Sequence, residues 1–365
     1  MEYIVYTLKI VLYFIFVFIM YNMSKSEDKN RKRRIKITSI IFLCICTAIY
    51  AILCGKYPYV SDRLNYAFRF RSDFYADFVK SESLGLYLLE YFLHLFTYEP
   101  IVLFMASAII YLAFTLIAYN EVEDVAPLAI LLLGITDYMS FGYYMIKQAM
   151  ATAFVACAYA YLTRGKKVKA MLFLIIGVLF HEATLIVIPI LIMLKLIKNN
   201  FFKKLIYILT ISICLLWGTI NGPLISLVIK FVPSLESQIY YYLDSSGSMI
   251  ETGTLLTWAK GFPFYFIFLY GLYKKKELKE KIKYYDEYMF ITFLICATKL
   301  TSVYMYWMFR FGISFYFPSF VFASLILKNL SSSKDKYFFR IVLVLSALLL
   351  TVRLWCQYYF LYGGI

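Results

Sequence analysis

The stretch IVLFMASAIIYLAFTLIAY, residues 101–119, carries no charged side chain over its whole length. An α-helix rises about 1.5 Å per residue, so a helix of this length spans roughly the 30 Å hydrocarbon core of a bilayer. The stretch is apolar on every face, whereas a strand of a membrane barrel alternates apolar and polar residues. It therefore predicts a transmembrane α-helix.

The rest of the chain has the same character. Of its 365 residues, 62% are apolar and 16% are charged, whereas an ordinary soluble domain has about 45–50% and 25%. Further apolar runs of near-spanning length lie at Ile4–Tyr21, Ile37–Leu53, Met171–Leu194 and Tyr337–Leu361. The fold class that follows is an all-α integral membrane protein, a polytopic bundle of about 10–12 transmembrane helices. We expect outer-face loops, and re-entrant segments where a run is too short to span.

Basic residues set the predicted orientation. The net charge of +15 arises mainly in short loops between apolar runs, which is typical of the cytoplasmic side of a membrane protein. These loops lie at Lys25–Lys36, Arg164–Lys169, Lys274–Lys283 and Lys328–Arg340. The N-terminus is then outside, and the first apolar run is expected to be retained because its basic cluster follows it.

This orientation predicts a single polytopic membrane domain over residues 1–365, with two exposed outer segments. The first, residues 55–99, is expected to be an outer-face loop with a short interfacial helix, since Leu84–Tyr98 is short for a span and carries Glu90 and His94. The second, residues 233–257, is rich in Ser, Gly and Thr and is a candidate lid.

The topology between residues 170 and 257 has two solutions. If the basic stretch Lys195–Lys204 is cytoplasmic, the apolar run before it is re-entrant. Otherwise that run is a simple crossing.

Ionisable side chains within apolar runs are costly in a bilayer and are therefore candidates for function. Lys147, with Gln148 beside it, lies two or three turns below the outer end of its predicted helix, and His181 and Glu182 lie near the middle of an apolar run. Arg310 lies near the outer end of a span, where the positive-inside pattern disfavours a cation. The structural alternatives are cations that reach the lipid surface and a histidine that bonds a neighbouring helix.

The outer stretch DRLNYAFRFR, residues 62–71, adds more charge to the same side. Its charged residues are Asp62, Arg63, Arg69 and Arg71. On the predicted topology these arginines share the outer face with Lys147 and Arg310. Guanidinium groups form paired hydrogen bonds with phosphate oxygens, so the cations indicate an anionic ligand, such as a diphosphate, that arrives from outside.

The sequence lacks the motifs that are typical of several classes of enzyme. It contains no GxxxxGK[ST] loop, no HExxH or Cys/His cluster, no GxSxG and no DxD pair. The seven cysteines lie in or at the ends of apolar runs and are expected to be buried. We therefore expect no metal, no cofactor, no nucleic acid partner and no nucleotide-activated donor. An outward-facing transferase then needs a donor that is already activated, such as a lipid diphosphate.

Four short elements follow one another along the chain: DxxxY at Asp62–Tyr66, then Ile146–Ala151, Phe180–Thr184 and Arg310–Phe317. Together, over about residues 60–320, they resemble the EpsG-like branch of the Wzy-type bacterial polysaccharide polymerases. In that family the second element commonly reads arginine-glutamine followed by small apolar residues, and the third reads Phe-His-x-Ser or Thr. Here a lysine stands in the arginine position, which keeps the charge but loses the paired hydrogen bonds.

The resemblance implies an enzyme on the outer face of the bacterial cytoplasmic membrane, with its active site toward the periplasm or the cell exterior. It would transfer a growing O-antigen, capsule or exopolysaccharide chain from undecaprenyl or another polyprenyl diphosphate to a hydroxyl of the next lipid-linked repeat. A chain-length regulator protein is the partner that the resemblance implies. The substrate-binding residues would be Lys147, Gln148, Arg310, Tyr66 and one or more of Arg63, Arg69 and Arg71.

Three residues are candidates for the proton transfer. His181 is the first candidate base, because the unperturbed pKa of histidine lies near working pH. Glu182 would orient it or replace it. Asp62 is the second candidate, favoured if His181 lies too deep. Direct attack by the acceptor hydroxyl would invert the anomeric configuration.

Two other functions stay open at this point. A flippase for the same lipid-linked sugar would also need a cationic cavity in a helix bundle, but it would leave its substrate covalently unchanged. A glycan ligase would use the same donor chemistry and a different acceptor.

Overall fold

The structure is a computed structural model. It describes residues 47–56, 62–72, 83–122, 145–197, 199–231, 261–302 and 308–346, together with Ile41, Cys44, Ile45 and Gly142. These residues form helices and turns, with no strand among them. The predicted first span, Ile4–Tyr21, and the candidate lid at residues 233–257 lie outside the described part of the chain.

The described helices follow the predicted apolar runs closely. In the first part of the chain they are α1 (Thr47–Lys56), α2 (Asp62–Arg71), α3 (Leu84–His94), α4 (Pro100–Glu121), α5 (Ile146–Thr163) and α6 (Lys167–Phe180). After a 3₁₀ helix at Glu182–Ile186 come α7 (Val187–Leu196), α8 (Asn200–Phe231), α9 (Phe262–Tyr273), α10 (Lys275–Leu278), α11 (Tyr285–Thr301), α12 (Met308–Ile313), α13 (Tyr316–Asn329) and α14 (333–346).

Helix α4 confirms that residues 101–119 form one continuous helix, as predicted. Within the described ranges it is the helix that is long and apolar enough to cross a membrane, and α1, Glu182–Leu194 and α9 are shorter apolar helices. Pro100 begins α4, where a proline costs no hydrogen bond because the first amide groups of a helix have no partner inside it.

The helices group into two compact units. The first unit comprises residues 1–185 and 320–365, and the second comprises Ile186–Ser319. The single domain predicted over residues 1–365 stays a prediction.

Helix α5 lies at the centre of the first unit. Alanines recur along it at helical spacing and are buried: Ala149, Ala153, Ala156 and Ala160. Small side chains let helices approach closely, and both α4 and α6 pack against α5.

An ion pair fixes the relative direction of α4 and α5. Glu121, the last residue of α4, accepts a hydrogen bond of 2.9 Å from Arg164, which directly follows α5. Lys166 lies 3.5 Å from the same carboxylate oxygen. The two helices therefore run in the same direction, as expected if both C-terminal ends lie on the predicted cytoplasmic side.

Two short helices of the outer segment contribute to the same core. Ala67 and Phe70 of α2 and Leu86 and Leu93 of α3 are buried in one apolar cluster with residues of α4, α5 and α6. The sequence predicted one short helix between residues 55 and 99, and the described part of that segment contains α2 as well as α3. The helical period of α2 was hard to recognise in the sequence, because its buried face includes Arg63 and its exposed residues include Leu64 and Phe68.

The turn between α5 and α6 depends on one glycine. Gly165 has φ +74°, a left-handed conformation that residues with a Cβ adopt at a cost. The amide of Lys166 donates to the Tyr161 carbonyl and that of Gly165 to the Leu162 carbonyl, both at 3.0 Å, which is the Schellman arrangement. It returns α6 antiparallel against α5.

We therefore expect Gly165→Ala to lower the free energy of unfolding by about 1 kcal/mol, because alanine is strained at positive φ. Gly165→Asn should cost less, since asparagine tolerates this conformation better. Thermal unfolding of both variants in detergent checks this. Equal stability of Gly165→Ala and the native protein would contradict the described turn.

In the second unit, Asp286 joins two helices through two lysines. It accepts a hydrogen bond from Lys203 of α8, and its other oxygen lies 3.0 Å from Lys279 Nζ. Burial raises the pKa of the Asp286 carboxyl, but the hydrogen bonds and charges of the two lysines outweigh it, so the pKa lies below its usual value. The same two helices, α8 and α11, also meet through aromatic rings, since the centres of the stacked Tyr207 and Phe293 rings lie 4.5 Å apart.

Asp286→Asn should lower stability near neutral pH, because it removes both ion pairs. A carboxyl whose pKa is lowered by folding stabilises the folded protein at pH values above its unfolded pKa, which is about 3.9. This stabilisation is lost as the pH falls through the lower pKa of the folded state. The difference between Asp286→Asn and the native protein should therefore shrink below about pH 4. Glu287→Gln, one residue away, is the control. A difference that persists in acid would contradict this account.

Candidate functional site

Helix α2 has a polar face and a buried face. Asp62, Tyr66 and Arg69 follow one another at helical spacing, four and then three residues apart, and so lie on one face. The Arg69 guanidinium lies 5.7 Å from the centre of the Tyr66 ring. Three of the residues predicted from the DxxxY element and its surroundings are therefore placed side by side.

Arg69 is ion-paired with Glu90 of α3. The Arg69 side chain is 37% exposed, whereas that of Glu90 is 9% exposed. The pair thus connects a partly exposed guanidinium to a buried carboxylate, across two helices.

His94, one turn after Glu90, is held by its surroundings. Its Nε2 donates to the Phe70 carbonyl over 2.8 Å, and its ring lies 4.2 Å from the Phe70 ring and 4.7 Å from the Tyr98 ring. These contacts fix α3 against the end of α2 and agree with a structural role for His94.

Lys147, in the first turn of α5, acts on the same carboxylate. Burial raises the pKa of the Glu90 carboxyl, and the charge and hydrogen bond of Arg69, with a smaller contribution from the Lys147 charge, oppose this without cancelling it. We call Arg69, Glu90, His94 and Lys147 the Glu90 cluster. Gln148, beside Lys147, is buried.

The apolar run Met171–Leu194 is interrupted at its polar pair. Helix α6 ends at Phe180, and His181 has extended backbone with φ −157° and ψ 120°. The Thr184 amide then donates to the His181 carbonyl over 3.0 Å as the 3₁₀ helix begins. The sequence placed His181 and Glu182 near the middle of the run, and the structure breaks the helix there.

The His181 side chain caps the new helix. The backbone amide of Ala183 donates to His181 Nδ1 over 3.1 Å. A backbone N–H can only donate, so Nδ1 is the acceptor and the neutral ring carries its proton on Nε2. Nε2 is therefore a hydrogen-bond donor in this arrangement. Glu182 is exposed.

The three motifs of the first unit converge through the core. Phe70, Leu93, Ile146 and Phe180 share the apolar cluster, and they lie next to Arg69, His94, Lys147 and His181 in sequence. Gly85 permits this approach, since a Cβ there would lie 2.8 Å from the Phe180 ring. Helix α3 therefore packs directly against the end of α6, where the break begins.

Two of the predicted cations differ in accessibility from the others. Arg63 is fully buried, donates to the Cys54 carbonyl over 2.8 Å, and lies 3.6 Å above the Phe104 ring. These contacts are those of a structural cation that joins α1, α2 and α4. Arg71 lies at the exposed end of α2.

Arg310 belongs to the second unit, on α12, and is partly exposed. Helix α12 packs on α11, where Lys299 is buried with its Nζ 5.3 Å from the Tyr316 ring. Sequence reasoning did not name Lys299 as a site residue. The signal that could have found it is an ionisable side chain within a largely apolar stretch, the criterion that selected Lys147.

Glu90 was also missed as a functional residue. Its charge was only a reason to predict that Leu84–Tyr98 forms an interfacial helix and does not span the membrane. Within the described ranges, no three His, Cys, Asp or Glu side chains come together as metal ligands would.

A family model described as the EpsG family matches residues 70–362. The match includes Glu90, Lys147, the break at His181 and Arg310, and it begins one residue after Arg69. No curated protein and no solved structure matches the chain.

The burial of Arg63 gives a stability test. Arg63→Ala should lower the free energy of unfolding by about 2–3 kcal/mol, because it removes a charged hydrogen bond to a buried carbonyl. Arg71→Ala, which removes a cation from the exposed end of the same helix, should change stability by less than about 0.5 kcal/mol. Thermal unfolding in detergent compares the two. Equal losses would contradict a structural role for Arg63.

Proposed function

The chain belongs to the EpsG family, and on that basis we propose that it is a polymerase that joins polyprenyl-diphosphate-linked oligosaccharide repeats by glycosyl transfer. Membership indicates a membrane-associated, glycosyltransferase-like enzyme of polysaccharide synthesis that acts on lipid-linked saccharides. The observation that supports the finer proposal is the convergence of the Glu90 cluster with the His181 break in one unit. We place the reaction on the outer face of the bacterial cytoplasmic membrane, in a multi-pass chain.

The proposed step is a direct displacement. The acceptor hydroxyl oxygen forms a bond to the anomeric carbon of the donor, and the bond from that carbon to the diphosphate oxygen breaks, with its electron pair staying on the diphosphate. Negative charge therefore develops on the leaving group. Arg69 and Lys147, both in the first unit, are the cations proposed to stabilise it. We propose that they suffice without a metal ion.

The hydroxyl proton needs an acceptor, and the capping of His181 bears on the choice. With Ala183 donating to Nδ1, Nε2 holds the proton, so His181 would act as a base only after its ring gives up that hydrogen bond. We therefore propose Asp62, on the polar face of α2, as the base. His181 Nε2 then donates a hydrogen bond to the departing diphosphate, and Glu182 is retained as an orienting residue.

The test is a polymerisation assay with purified protein, a polyprenyl-diphosphate-linked repeat unit, a chelator and no nucleotide. We expect a ladder of products spaced by one repeat. Lys147→Ala should lower the rate by about 100-fold, because it removes one stabilising charge from the leaving group. Lys147→Arg should retain most activity, since it keeps the charge and adds paired donors.

Lys169→Ala is the matched control, because it removes an exposed cation from the basic loop of the same unit. Unchanged substrate, with the native repeat confirmed, would overturn the polymerase and favour a flippase. Products that retain the anomeric configuration would exclude direct attack.

A further inference from the structure

We propose that Glu90 is an internal counter-anion, whose carboxylate interacts in the resting enzyme with the cations that bind the substrate diphosphate and so limits how tightly that diphosphate is held. The inference rests on the proposed function. It assigns a role to a residue that the displacement itself does not use.

The first support is the geometry of the pair with Arg69. The Glu90 side chain is 9% exposed, whereas that of its partner Arg69 is 37% exposed. A guanidinium has five N–H donors, and Glu90 accepts from Arg69 Nη2. Arg69 thus keeps donor capacity beyond its bond to Glu90.

The second support is competition for the same atoms. Carboxylate and diphosphate oxygens both bind guanidinium through charge-assisted hydrogen bonds. A diphosphate that approaches Arg69 and Lys147 must therefore displace, or share, the contacts of the Glu90 carboxylate. Removing the negative charge of Glu90 leaves both cations with a larger net attraction for the ligand.

The third support is that the reaction requires release of a diphosphate product. The product, polyprenyl diphosphate, keeps the diphosphate of the substrate and gains a charged oxygen where the sugar left, so cations that bind the substrate hold the product at least as well. Binding that is equally strong before and after transfer slows release without speeding the chemical step. A carboxylate that returns to Arg69 as the product leaves would favour release.

The test uses full-length protein in detergent and polyprenyl diphosphate without sugar as the probe. Glu90→Gln keeps the shape and one acceptor oxygen but removes the charge. We expect it to bind the probe on the order of tenfold more tightly, with a lower turnover number limited by product release. Glu121→Gln is the matched control, because Glu121 also pairs with two cations in the same unit. It should bind the probe as the native protein does.

A double-mutant cycle with Arg69→Gln identifies the mechanism. If Glu90 acts by competing for Arg69, the tightening caused by Glu90→Gln should be largely lost in the Arg69→Gln background. If Glu90→Gln does not fold, Glu90→Asp replaces it, since it withdraws the carboxylate by one methylene, and it should also tighten binding.

Two results have distinct meanings. Native or weaker affinity in a folded Glu90 variant, while the native protein binds the probe, would overturn the counter-anion and leave the proposed function standing. No binding of polyprenyl diphosphate by the native protein would instead count against the proposed function itself.

Discussion

The structure depends on a single constraint, which is that a polar group removed from water needs a partner at hand. A chain that is so apolar offers few such partners, so each polar side chain among the helices has a specific arrangement. Arg63 is satisfied by the Cys54 carbonyl and the Phe104 ring. Arg69 and Glu90 form an ion pair with each other. The same requirement that stabilises the fold therefore also decides which cations remain accessible to a ligand.

The candidate site arises where the helical pattern stops. At His181 the backbone leaves α6, and the amide of Ala183 loses its ordinary helical acceptor and uses the imidazole instead. A break inside an apolar run is tolerated where the freed backbone groups are bonded within the protein or line a cavity. The break is next to Phe180, whose ring contacts the helix that carries Glu90. Packing thus brings the interruption and the charged cluster into one region of the first unit.

Much of the fold was predictable because its signal is local. The run 101–119 lies within the helix Pro100–Glu121. Helix α2 was harder to predict. Its spacing nevertheless separates two faces, one with residues 62, 66 and 69 and one with residues 63, 67 and 70, and these faces distinguish Arg69 from the buried Arg63. The pairing of Arg69 with Glu90 could not be predicted, since no period relates residues on different helices. The capping by His181 depends on backbone geometry that an apolar run does not reveal.

The cap at His181 has a consequence for motion. Addition of a proton to Nδ1 would turn the attraction of Ala183 N–H into a repulsion between two donors. The start of the 3₁₀ helix would then lose the hydrogen bond from the Ala183 amide to the His181 side chain. One proton on the imidazole would therefore weaken the local backbone arrangement that follows the end of α6.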